Sequence, residues 1–214
     1  MKNYLVLLLA LVLCSFANQT SKYPQDYFRS PVGHPIRLSG TFGELRTNHF
    51  HAGIDIKAKE GKIGDPLYAI ADGYVSRIKV QSGGYGQVLY IAHPNGYTSV
   101  YAHMEIFDSP IADFVKAQQY AKQSFELDLY PTAGQFTFTK GQVIGKMGTT
   151  GRSFGPHLHF EIRNTKTQKP INPLLFNFPM KDTRAPKMHQ IKVYNLNDKK
   201  EIQNSKTINL AKRG

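Results

Sequence analysis

Cysteine is almost missing from this chain: of 214 residues only Cys14 carries a thiol. It lies in an apolar run at the N-terminus, and if that run is removed no thiol remains. Disulfide bridges and thiol nucleophiles are then excluded, and any metal must be held by His, Asp or Glu. Long apolar stretches are lacking too. Tyr4 to Cys14 is unbroken, yet it has about half the residues that a membrane-spanning helix needs. Acidic side chains are scarce, with 15 Asp and Glu against 27 Lys and Arg, which gives a net charge of +12. Half of that excess falls in residues 181–214, where nine basic side chains stand against three acidic ones. A basic balance favours attraction to polyanions in general. The motifs of nucleic-acid readers do not accompany it, so nucleic acid is not expected as a partner.

What is present at the N-terminus reads as an export signal. Lys2 opens it, the apolar run follows, and Ser15-Phe16-Ala17 is a small-x-small cleavage site. The expectation is a signal peptide over 1–17 and a mature chain from near Asn18, exported to the periplasm or the cell exterior and associated with the envelope. A short membrane anchor is the competing reading of the same run; after cleavage no stable membrane insertion is expected. Lipidation of Cys14 is disfavoured, because Leu13 stands where a lipoprotein signal wants a small residue.

After an N-terminal extension over 18–37, residues 38–178 form a series of short β-type runs separated by Gly, Pro and Asn, which predicts one compact all-β domain. The clearest strands are Leu67 to Val75, Val88 to His93, Thr98 to His103, Thr137 to Met147 and His157 to Arg163. Pro94-Asn95-Gly96 predicts a hairpin turn, and His93 beside it reads as structural. Ser109-Pro110 followed by Ile111, Phe114 and Val115 predicts one inserted helix over 110–124, at the rim of the cleft. Residues 179–214 form a basic tail, with runs at Ile191 to Tyr194 and Ile208 to Leu210, readable as the start of a truncated second β module.

Two motifs carry chemistry. His51-Ala52-Gly53-Ile54-Asp55 and Gly155-Pro156-His157-Leu158-His159-Phe160-Glu161 lie far apart in sequence, and together they offer the nitrogen and oxygen donors of a hydrolytic zinc site. On a strand, His157 and His159 leave the same face while Leu158 and Phe160 point to the other. Four extended residues cover about 13 Å, so His51 and Asp55 can share one ion only if the chain bends between them, and Gly53 is placed to permit that. The residues alone leave His49 open as an alternative ligand. Glu161, on the His159 face, is either a partner of that histidine or a solvated strand carboxylate.

These motifs, with Gly64-Asp65-Pro66-Leu67-Tyr68-Ala69, Ala71-Asp72-Gly73-Tyr74-Val75, Gly83-Gly84-Tyr85-Gly86, Tyr101-Ala102-His103-Met104 and Lys140-Gly141-Gln142-Val143-Ile144-Gly145, resemble the lysostaphin- and LytM-type zinc metalloendopeptidases. The resemblance runs from Leu38 to Phe178. It implies an antiparallel β-sandwich, or barrel-sandwich hybrid, that binds one zinc ion per chain through His51, Asp55 and His159. His103 and His157 are implied as unliganded catalytic histidines, and peptidoglycan, through its stem or cross-bridge peptides, as the substrate. No H-E-x-x-H glutamate is present, so the two histidines would carry the acid–base work. Gly43 to Asn48 lacks the tyrosine that members acting on glycine cross-bridges carry ahead of the first ligand. A non-catalytic wall-binding protein or amidase activator on the same fold is the alternative function. A lipoyl-like carrier is the third, but it leaves the histidines unexplained.

Overall fold

A computed structural model describes residues 21–180 and 187–210; the expected signal peptide lies outside the described residues. The chain forms two compact units, Met1–Met180 and Lys181–Gly214.

In the first unit a large antiparallel sheet takes the order β1 (Leu38–Gly40), β2 (Ile54–Lys57), β11 (His157–Asn164), β6 (Tyr97–Ala102), β5 (Gln87–Ala92), β4 (Gly73–Val80) and β8 (Leu127–Leu129). Two short strands complete it, β9 (Thr137–Phe138) on β4 and β12 (Pro170–Ile171) on β11. A smaller sheet has the order β3 (Pro66–Tyr68), β10 (Val143–Met147) and β7 (Met104–Phe107). Alternation decides which side chains face inward. Along β11, Leu158, Phe160 and Ile162 enter the core, where they meet Ile54 and Ile56 of β2 and Met104, Ile144 and Met147 of the smaller sheet. All eight are fully buried, and each contributes roughly 1.5 to 3 kcal/mol by leaving water.

Two of the expected strands are each divided. Leu67 to Val75 becomes the end of β3 and the start of β4, and between them Ala69, Ile70 and Ala71 are buried without strand pairing. Thr137 to Met147 becomes β9 and β10, separated by a turn at Lys140 and Gly141. The hydrophobic pattern is continuous through both because the chain crosses the core as it passes from one sheet to the other. Phe28, Val32 and Ile36, ahead of the first strand, also join this core, and Val32 bridges Leu67.

Among the described residues there is one α-helix, α1 (Ser109–Lys122). Its cap is Asp108 rather than Ser109, and no side chain closes the first turn. Ile111 and Val115 are its buried anchors. With β7 and the strand edge at Val80 and Gln87, the helix borders a groove of about 710 Å³, which shares no lining residue with the histidine motifs. In the second unit β13 (Gln190–Leu196) and β14 (Ile202–Asn209) pair as an exposed hairpin.

His93 is buried beside its turn. Its Nδ1–H donates to the Asp72 carbonyl at 2.9 Å, and its Nε2 accepts from the Ser99 hydroxyl at 2.8 Å. Burial lowers its pKa from the ordinary imidazole value, so the folded protein holds it neutral where the unfolded chain binds a proton. Stability must then fall as pH drops through about 6.5, until the native value is reached and the loss is complete. Denaturant titrations of the wild type and His93→Gln at several pH values between about 4 and 8 should show a shallower acid-side decline in the variant.

Candidate metal centre

The register of three neighbouring strands builds the centre. Asp55 on β2 stands directly opposite His159 on β11, and on the other side of β11 His159 stands opposite Ala102 of β6. His103 is the next residue. Residues 43–51 fold back as a small loop, with a Leu45–Phe50 bridge and a His51 N–H bond to the Glu44 carbonyl, and deliver His51 to the same point. The bend expected between His51 and Asp55 is present, but Gly53 serves it by close approach. A Cβ there would lie 2.2 Å from the Phe160 carbonyl oxygen and 2.8 Å from Glu161 Cγ.

His51, Asp55 and His159 are all buried. His51 Nε2 is 2.9 Å from His159 Nδ1, and Asp55 Oδ1 is 3.0 Å from each of them. The outer nitrogens are already committed. His51 Nδ1 donates to the Thr41 carbonyl at 2.8 Å, and His159 Nε2 donates to Glu161 Oε1 at 2.9 Å. Two imidazole lone pairs and a carboxylate oxygen therefore point at one another, an arrangement that calls for a cation between them. Tetrahedral zinc with bonds of about 2.0 to 2.1 Å separates its donors by about 3.3 Å, close to the triangle seen. Two imidazole nitrogens and a carboxylate oxygen form a donor set that zinc accepts, as do other first-row hydrolytic ions. These three residues fit the ion; His49 turns away and pairs with Asn48.

Two more imidazoles border the triangle. His103 is buried, and its Nδ1–H donates to the Thr150 carbonyl at 2.8 Å, leaving Nε2 as its free atom. Burial, assisted by the neighbouring imidazoles His157 and His159, pushes its pKa down to about 4 against the opposing pull of the Thr150 carbonyl. Its φ of +59° is unusual for a residue with a side chain and is held by its N–H bond to the Tyr85 carbonyl. His157 is half-buried, donates from Nδ1 to the Gly155 carbonyl at 2.8 Å, and lies 4.8 Å from His103 between ring centroids. Its Nε2 is 3.7 Å from Asp55 Oδ1.

Sequence reasoning did not find Arg46. Its Nη2 binds Asp55 Oδ2 at 2.9 Å and Glu44 Oε2 at 3.1 Å, so the aspartate faces the histidines with one oxygen and a guanidinium with the other. Burial opposes ionisation of Asp55, yet the imidazoles of His159 and His51 in contact with it outweigh burial and hold the carboxyl well below the usual range. Only the loop over residues 43–51 brings Arg46 to this contact, and no spacing rule foretells it.

An antiparallel β-sandwich with a buried His–Asp–His triangle and two further histidines beside it has the layout of a metallohydrolase domain. The sequence model of peptidase family M23 matches residues 49–123 and 132–173, and the chain belongs to this family. It is 34% identical over 157 residues to a DD-carboxypeptidase/endopeptidase, Mpg, of Neisseria meningitidis serogroup B, covering 71% of this chain and 30% of the relative. It is 28% identical over 179 residues to the peptidoglycan DD-endopeptidase ShyC of Vibrio cholerae, covering 83% of this chain and 34% of the relative. The chain thus spans about a third of the length of these curated relatives. Among solved structures, the catalytic domain of a mutant of the prophage-encoded M23 protein EnpA from Enterococcus faecalis shares the fold. The match has a TM-score of 0.50 at 24% identity and covers 68% of this chain and 95% of that one.

The close packing at Gly53 leads to a prediction. Gly53→Ala must push β2 away from β11, at a cost of about 1 to 3 kcal/mol or more. Its melting temperature should fall, and zinc content by elemental analysis should drop below that of the wild type.

Proposed function

We propose that this chain is an exported zinc metalloendopeptidase that hydrolyses peptide bonds of peptidoglycan in the cell envelope. The observation that carries the reading is the pair His103 and His157 beside the donor triangle, each with Nδ1 tied to a backbone carbonyl and Nε2 left free. His51, Asp55 and His159 hold the ion. Bound zinc brings the pKa of a water to about 7 and polarises a carbonyl.

The two free histidines divide the proton work. His103, kept uncharged by burial, can only accept at Nε2, and it takes the proton of the attacking water. An oxyanion needs a donor, and that role goes to the more exposed His157, whose Nε2 borders the same centre. Arg46 holds the outer oxygen of Asp55 and keeps the inner one aimed at the ion. Support for peptidoglycan as the substrate comes from the names of the relatives, and support for export comes from the apolar run before Asn18. No helix among the described residues is long and apolar enough to cross a membrane.

Peptidoglycan digested with the zinc-loaded protein should release fragments with new amino and carboxyl ends, identified by mass spectrometry. His103→Ala should retain one zinc and lose about 10²- to 10⁴-fold in rate, whereas Asp55→Ala should lose the metal. Wild-type protein that carries zinc, binds peptidoglycan and cuts no bond in it would establish a binding module instead.

A further inference from the structure

Glu161 is fully buried on the side of the His159 ring away from Asp55. Strand alternation puts His157, His159, Glu161 and Arg163 on one face of β11, opposite to Leu158, Phe160 and Ile162. Both carboxylate oxygens are engaged. Oε1 accepts from His159 Nε2 at 2.9 Å and from the Tyr85 hydroxyl, while Oε2 accepts from Arg163 Nε at 2.5 Å. The Tyr85 ring also lies against His159, with centroids 4.9 Å apart and planes at 33°. Glu161 is absent from the group of residues whose donor atoms converge, and with both oxygens bound it cannot act as a base at a substrate.

What it can do follows from proton bookkeeping on one ring. A carboxylate has no proton to give, so His159 must donate from Nε2, and the neutral ring that a metal requires then has its lone pair on Nδ1. Were the tautomer reversed, Nδ1–H would donate to Asp55 Oδ1, 3.0 Å away, and both groups would be lost as metal donors. We infer that Glu161, clamped by Arg163 and Tyr85, is the positioning residue that fixes the orientation and tautomer of His159 and so sets how tightly the metal is held. The inference rests on the metal-centre reading above. Arg163 makes the clamp directional, because it needs an acceptor at Oε2. In Glu161→Gln the amide oxygen turns to Arg163, and the NH₂ group is then left to donate to His159 Nε2. The substitution therefore inverts the tautomer with little change of volume. Gly53 contributes as well, since a Cβ there would press on the Glu161 side chain.

The test compares wild type, Glu161→Gln and Tyr85→Phe in the full chain, using zinc competition against a chromophoric chelator and ¹⁵N imidazole shifts of the metal-free proteins at a pH where the His159 ring is neutral. The wild type should bind one zinc and show a protonated Nε2 at His159. Glu161→Gln should bind zinc about 10- to 100-fold more weakly and show the proton moved to Nδ1, while circular dichroism reports an unchanged fold. Tyr85→Phe, which removes one of the bonds to Oε1, should weaken zinc by a smaller factor. If Glu161→Gln does not fold, unchanged affinity in Tyr85→Phe overturns the inference. Wild-type affinity and an unmoved proton in folded Glu161→Gln overturn it alone. A wild type that takes up no zinc overturns the metal-centre reading and this inference together.

Discussion

The pairing of β2 with β11 is the constraint on which the rest of the molecule depends. It sets Asp55 opposite His159 on one face and Ile56 opposite Leu158 on the other, so one register serves the donor triangle and the core at once. A slip by a single residue would send His159 inward and Leu158 to the cleft. The core thereby guards the chemistry: fully buried Leu158, Phe160 and Ile162 fix the alternation, and no separate device is needed to hold the histidines on their face.

Around that pair the backbone does much of the orienting. His51, His103 and His157 each give their Nδ1–H to a main-chain carbonyl, of Thr41, Thr150 and Gly155 respectively. Carbonyls in turns and loops move less than side chains, and they accept without competing for a proton. The wall that supplies Thr150 is itself locked, because a Cβ on Gly86 would come within 2.4 Å of Thr150. His159 is the exception among the four, being oriented by a side chain. It is also the only one carried in mid-strand, where its neighbouring carbonyls are spent on the sheet ladder.

Much of this was legible in the residues. Alternation at Leu158 and Phe160 foretold the face of His157 and His159, and Ile54 and Ile56 foretold the strand that carries Asp55. The helix and the hairpin turn at Asn95 came from local chemistry and lie within a residue or two of their expected places. What was not legible arises from contacts across the sheets. A continuous apolar run cannot say where the chain leaves one sheet for the other, and Leu67 to Val75 and Thr137 to Met147 are each cut there. Arg46 reaches Asp55 only through the fold of a loop with no regular period. Gly53 was readable as a special position, but its reason, a carbonyl oxygen of the neighbouring strand, is a fact of packing.

The place of β11 in the large sheet has one more consequence. It is among the last strands in sequence, yet it sits between β2 and β6, which come much earlier. Until it inserts, those two strands have no bond to each other, and the first half of the chain carries His51, Asp55 and His103 with nothing to complete them. A chain emerging from synthesis would therefore lack a complete donor set over most of its length. The donor set would be completed in a single late event, when β11 enters between β2 and β6.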